Sequence, residues 1–167
     1  YYLATDVASG TDMRFDEDKI KSTWNYINKI WNAARFVLMN ISDLKEINLE
    51  NLKPEDKWIF TKYEHTVATT KKFMDRYEFN NASNAIYDFT WNYFCDYYIE
   101  MAKYSIEEVS TKSTLCYILT GILKLLHPFM PFVTEEIYQM LPIKETESIM
   151  TSKYPQQLKK YILTLEE

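Results

Sequence analysis

LLHPFMPFVTEEIYQML, residues 125–141, decides the fold, because two prolines three residues apart interrupt an otherwise continuous apolar helical pattern. Proline has no backbone donor and its ring collides with the preceding turn, so Pro128 closes the helix arriving through Leu119, Ile122, Leu123 and Leu126. Pro131 is tolerated in a first helical turn and opens the next helix, with Glu135 and Glu136 near its positive end. Taken alone, the motif is a corner between two helices.

The rest of the chain agrees with helices. Two glycines and five prolines among 167 residues leave little material for hairpins, and 47% hydrophobic content supplies the core of one all-α domain. Asp16 caps a first helix running to about Asn40, and a polar loop covers Ser42 to Lys53. Pro54, Glu55 and Asp56 open a second helix ending near Tyr77. A third, apolar around most of its circumference, spans roughly Ala82 to Tyr104. The fourth runs from Glu107 to Leu126 and the fifth from Pro131 to Leu141, with Ser148 to Tyr154 as a short extended segment. The expectation is a bundle of about five antiparallel helices joined by short loops. Residues 1–15 read as a linker or the edge of something larger, 16–142 as the bundle, and 143–167 as a C-terminal extension.

No window is apolar for long enough to span a bilayer, and the N-terminus lacks the pattern of a secretion signal, so a monomeric cytoplasmic protein without membrane contact is expected. Cys95 and Cys116 sit in apolar helical sequence and read as buried thiols. His65 and His127 are too isolated for a metal site. A net charge of −5 argues against indiscriminate nucleic-acid binding, although cations gather at Lys19, Lys21, Lys29 and Arg35, and again at Lys71, Lys72 and Arg76.

The first helix carries two faces. Ile20, Trp24, Ile27, Trp31, Ala34, Leu38 and Ile41 recur at spacings of four and three and form the expected core stripe. Lys21, Asn25, Asn28, Lys29, Asn32 and Arg35 fill the opposite arc, with Phe36 among them. Two readings stay open for that arc. It docks a neighbouring helix, or it binds unpaired RNA bases, the amides facing base edges, the cations facing phosphates and the ring stacking. On the third helix Asp88, Asp96 and Glu100 have helical spacing but no companion nucleophile or histidine. They read as partners for lysines or tyrosine hydroxyls, and no catalytic residue is assigned.

Three segments carry a family resemblance. Asn28-Lys29-Ile30-Trp31-Asn32-Ala33-Ala34-Arg35-Phe36 resembles the NK-hydrophobic-WNA-x-RF segment of valyl-tRNA synthetases, and Phe94-Cys95-Asp96-Tyr97-Tyr98-Ile99-Glu100-Met101-Ala102-Lys103 resembles their FCDWYIEMAK. Leu126 to Glu136 is similar to the LHPFMPF-x-TEE shared with the leucine and isoleucine enzymes. Ala4-Thr5, Asp12 to Phe15 and Asp75 to Phe79 add lesser matches. Asp6, Val7, Ala8, Tyr97 and Thr90-Trp91-Asn92 depart from the pattern. The resemblance implies a helical domain that follows the catalytic core of the same parent chain and binds the anticodon stem and loop of a valine tRNA. It leaves a leucyl- or isoleucyl-type relative as the alternative. No HIGH-type or KMSKS-type motif occurs, so the fragment itself is expected to hold no cofactor. ATP and magnesium would serve the intact ligase.

Overall fold

The computed structural model describes residues 1–5 and 16–158. The Asp12 to Phe15 match, the departures at Asp6, Val7 and Ala8, and all of LKKYILTLEE beyond Leu158 lie outside the described residues. The elements are α1 (Tyr2–Thr5), α2 (Glu17–Asn40), α3 (Pro54–Asp75), α4 (Phe79–Asp88), a π-helical segment (Phe89–Tyr98), α5 (Ile99–Ala102), a 3-10 turn (Lys103–Ser105), α6 (Val109–Leu126), α7 (Pro131–Gln139) and a second 3-10 turn (Ile149–Thr151).

Local chemistry sets these boundaries. Asp16 accepts the Asp18 N–H at 2.9 Å and starts α2. Pro54 occupies the first turn of α3, where Asp56 Oδ2 reaches back to the Lys53 N–H at 3.2 Å. At the other end of α3, Glu78 N–H donates to Phe73 O and Tyr77 N–H to Met74 O, both at 3.0 Å. That is a Schellman stop with a tyrosine at φ 59°, where glycine is usual. The double-proline corner closes as its spacing predicts. Both Phe129 and Met130 donate to Leu126 O at 2.9 Å, and Thr134 Oγ1 donates to Met130 O at 2.8 Å.

The third rod begins at Phe79, slightly earlier than expected, and its middle widens into a π-helix in which Ile99 N–H donates to Phe94 O, five residues back. It runs antiparallel to α3, with Asp56 meeting Tyr98 and Tyr63 meeting Phe89. Lys29 meets Asp96 and Phe36 lies under Lys103, so α2 runs beside the rod in the same sense. α6 packs against both α2 and α3 and completes the core. Tyr98 Oη donates to the buried Asp56 Oδ1 at 2.5 Å, and burial raises the Asp56 carboxyl above its ordinary range. α6 passes Tyr63 so closely that a Cβ on Gly121 would stand 2.2 Å from Tyr63 Oη.

The extension is tied to the bundle. Ser148 to Tyr154 is a 3-10 turn between extended residues, in place of the expected continuous extended run. Glu135 accepts the Ile149 N–H at 3.1 Å, Lys124 pairs with Glu145 at 2.6 Å, and the Leu158 N–H donates to Glu64.

Candidate nucleic-acid interface

α2 is rotated from its expected setting. Its buried residues are Tyr26, Ile30, Ala33, Ala34 and Val37, whereas Trp24 is 64% exposed, Trp31 39% and Ile20 41%. At 3.6 residues per turn the core face therefore lies about 115° from the Ile20–Trp24–Trp31 stripe. Tyr26 decides the setting: its ring meets Tyr1, Tyr87 and Trp91 at centroid distances of 5.6, 4.6 and 6.3 Å, a cluster the bulkier indoles of Trp24 and Trp31 do not enter.

This rotation turns the polar arc outward. Lys21, Asn25, Asn28, Asn32 and Arg35 are exposed. Among the described residues no hydrogen bond engages the side chains of Asn25, Asn28, Asn32 or Arg35, and Lys21 makes only a long, solvent-exposed pair with Asp18 at 3.4 Å. Two members of the arc sit at its inner edge. Lys29 Nζ lies 2.5 Å from Asp96 Oδ1 and 3.9 Å from the centroid of the Trp91 ring. Phe36 is half-buried against the core, with Lys103 Nζ 5.8 Å from its ring centroid, and so is not the stranded exposed ring the spacing predicts. Asn40 Nδ2 donates to Phe36 O at 2.7 Å and fixes the backbone there.

The third rod supplies neighbours that the sequence reading treats as core. Tyr97 is 60% exposed and Tyr104 is 95% exposed. Both lie on the outer side of a rod whose inner side is Phe89, Phe94, Tyr98 and Ile99. The three carboxylates hold polar partners: Asp88 accepts from Asn92, Asp96 from Lys29, and Glu100 from Lys103. Cys116 is buried and Cys95 half-buried, both free, and burial pushes the Cys95 thiol up to about 12. Among the described residues no cluster of histidine, cysteine and carboxylate groups has the arrangement of a metal site, and no helix is long and apolar enough to cross a membrane.

The family described as the anticodon-binding domain of tRNA ligase matches residues 56–167, about two-thirds of the chain. The chain belongs to this family. The chain is similar to the valine–tRNA ligase of Bacillus cereus, 50% identical over 164 residues that cover 93% of this chain and 18% of that protein. The valine–tRNA ligase of Listeria monocytogenes is 48% identical over the same shares. The alignments to these proteins reach well upstream of Asp56 and so include α2. This anticodon-binding domain spans less than a fifth of the length of the curated relatives it matches. Its fold is shared with a chain in the crystal structure of the LeuRS–tRNA–LeuAMS ternary complex of Agrobacterium radiobacter, with TM-score 0.77, 16% identity, and coverage of 97% of this chain and 19% of that one.

Proposed function

We propose that this anticodon-binding domain serves a valine–tRNA ligase and holds the anticodon stem-loop of a valine tRNA against the outward arc of α2. The observation that carries the reading is the run of exposed amides and one guanidinium, Asn25, Asn28, Asn32 and Arg35, without internal hydrogen-bond partners. Groups of that kind present donors and acceptors to unpaired bases and phosphates. Lys21 faces phosphate, Lys29 is held against Asp96 until nucleic acid competes for it, and Phe36 offers the uncovered part of its ring to a base. The domain acts as a monomer on the same polypeptide as a catalytic domain that uses ATP and magnesium in the cytoplasm to attach valine. Identity near one half to valine–tRNA ligases supports valine over leucine as the amino acid.

The test is binding of a valine anticodon stem-loop to the chain and to Arg35→Ala and Phe36→Ala. Loss of roughly tenfold in affinity for each is expected, the scale of one charge-assisted contact or one stacked base. Affinity should fall with salt at a log–log slope of only about −2, the few cations on this face each contributing about −0.7 on single strands. Binding that ignores both substitutions, or a slope near zero, would remove α2 from the interface.

A further inference from the structure

A second surface, outside the α2 arc, opens between α3 and the π-helical segment. Trp58, Lys62, Asn92, Tyr93, Asp96 and Tyr97 line an open cleft of about 750 Å³. Trp58 and Tyr93 form one wall, with ring centroids 6.0 Å apart, and Lys62 Nζ stands 4.9 Å above the Tyr93 ring. Tyr97 projects at the mouth with its ring largely in water.

The polar groups here have capacity to spare. Lys29, reaching across from α2, engages Asp96 through Oδ1, and among the described residues no group bonds Oδ2. Asn92 donates through Nδ2 to Asp88 Oδ1 at 2.6 Å, which leaves its amide oxygen as an acceptor. Lys62 has no carboxylate partner among the described residues. The cleft thus combines π faces, two acceptors and a cation. Lys29 joins it to the α2 arc, since the same ammonium touches Asp96 and the neighbouring Trp91.

We infer that this cleft is a second base subsite for the same RNA, stacking one unpaired nucleobase on Tyr97 and selecting a base with an exocyclic amino group. Stacking alone accepts any base. Selection comes from Asp96: an amino group donates to its Oδ2, whereas the carbonyl of uracil or hypoxanthine at the same position meets another lone pair. Lys62 holds the adjoining phosphate. This inference rests on the α2 reading for its RNA.

The experiment is an abasic scan of the anticodon loop in the stem-loop RNA, measured against the wild-type chain, Tyr97→Ala, Arg35→Ala and, as a control, Phe132→Ala, whose ring is exposed on α7 and is not among the residues of the α2 arc or of the cleft lining. One loop position should lose about tenfold in affinity when made abasic, lose that sensitivity in Tyr97→Ala, and keep it in Arg35→Ala and Phe132→Ala. At that position an amino-to-carbonyl base change should weaken binding to wild type and have little effect on Asp96→Ala. Tyr97→Ala binding as tightly as wild type, with Arg35→Ala impaired, overturns the cleft and leaves the α2 reading standing. Wild type failing to bind the stem-loop at all overturns both. Tyr97 lies in solvent, so circular dichroism of Tyr97→Ala should match wild type and exclude misfolding as the cause of any loss.

Discussion

Gly121 shows how far one missing methyl group constrains the bundle. The Tyr63 ring lies against bare α6 backbone, with Oη, Cζ and Cε2 all within 2.7 Å of where a Cβ would stand. Tyr63 is buried, with the Phe89 and Tyr117 rings at 5.8 and 6.1 Å, and an added methyl would have to push it out of these contacts toward the cavity it lines with Gly121. Gly121→Ala should therefore cost about 1–3 kcal/mol by overpacking, even though alanine is the better helix former. A urea melt reads this directly, and an unchanged or higher midpoint would show that the ring yields.

Glu64 makes stability depend on pH. Its Oε1 has no hydrogen-bond partner, and burial pushes the carboxyl up to about 7 from its ordinary 4.5, against the opposing hydrogen bond from the Leu158 N–H. The folded value lies above the unfolded one, so between these limits the folded chain binds a proton that the unfolded chain releases. The stability due to this group is full on the acid side and is lost as pH rises through about 7. Asp56, also raised by burial, acts in the same sense. Glu64→Gln should flatten the fall in urea midpoint across that window, and an equally steep fall in the variant would assign the slope to another group.

At the scale of elements, the end of α3 is an informative test of local sterics. Tyr77 adopts φ 59°, a region that disfavours side chains branched at Cβ, and both Schellman hydrogen bonds depend on it. Tyr77→Val should cost about 1–2 kcal/mol, while Tyr77→Gly should be neutral or slightly stabilising. Thermal melts of the pair decide it, and equal losses in both would place the value of Tyr77 in its 6.2 Å ring contact with Phe79 instead.

Helix ends were legible in the sequence because they are written in few letters. Asp16, Pro54 and the pair Pro128 and Pro131 each act through their own backbone or the adjacent turn, and each stands where expected. The rotation of α2 was not legible. Two overlapping apolar series occupy that helix, one through Trp24 and Trp31 and the other through Tyr26, Ile30, Ala33 and Val37, and periodicity gives both the same standing. Only partners remote in sequence, Tyr1, Tyr87 and Trp91 around Tyr26, choose between them. Tyr97 and Tyr104 escaped for the same reason, since an aromatic on an aromatic-rich helix carries no mark of which side meets water.

For the whole molecule, the candidate surface is assembled rather than contiguous in sequence. α2 contributes the amides and Arg35, the π-helical segment contributes Asp96 and Tyr97, and α3 contributes Trp58 and Lys62. Lys29, pinned between Asp96 and Trp91, is the physical link among these parts. An acidic chain presents this face because single cations are distributed among stacking and amide groups, which keeps the required positive charge small.

The outward tryptophans also give the folded chain an optical signature. With nearly two-thirds of its surface in water, Trp24 should fluoresce at long wavelength and yield to a dissolved collisional quencher, while Trp58 and Trp91, partly buried against the core, are less accessible. Anything that comes to rest on that flank of α2 would shift the emission toward the blue, so the native indole reports contact there without a label.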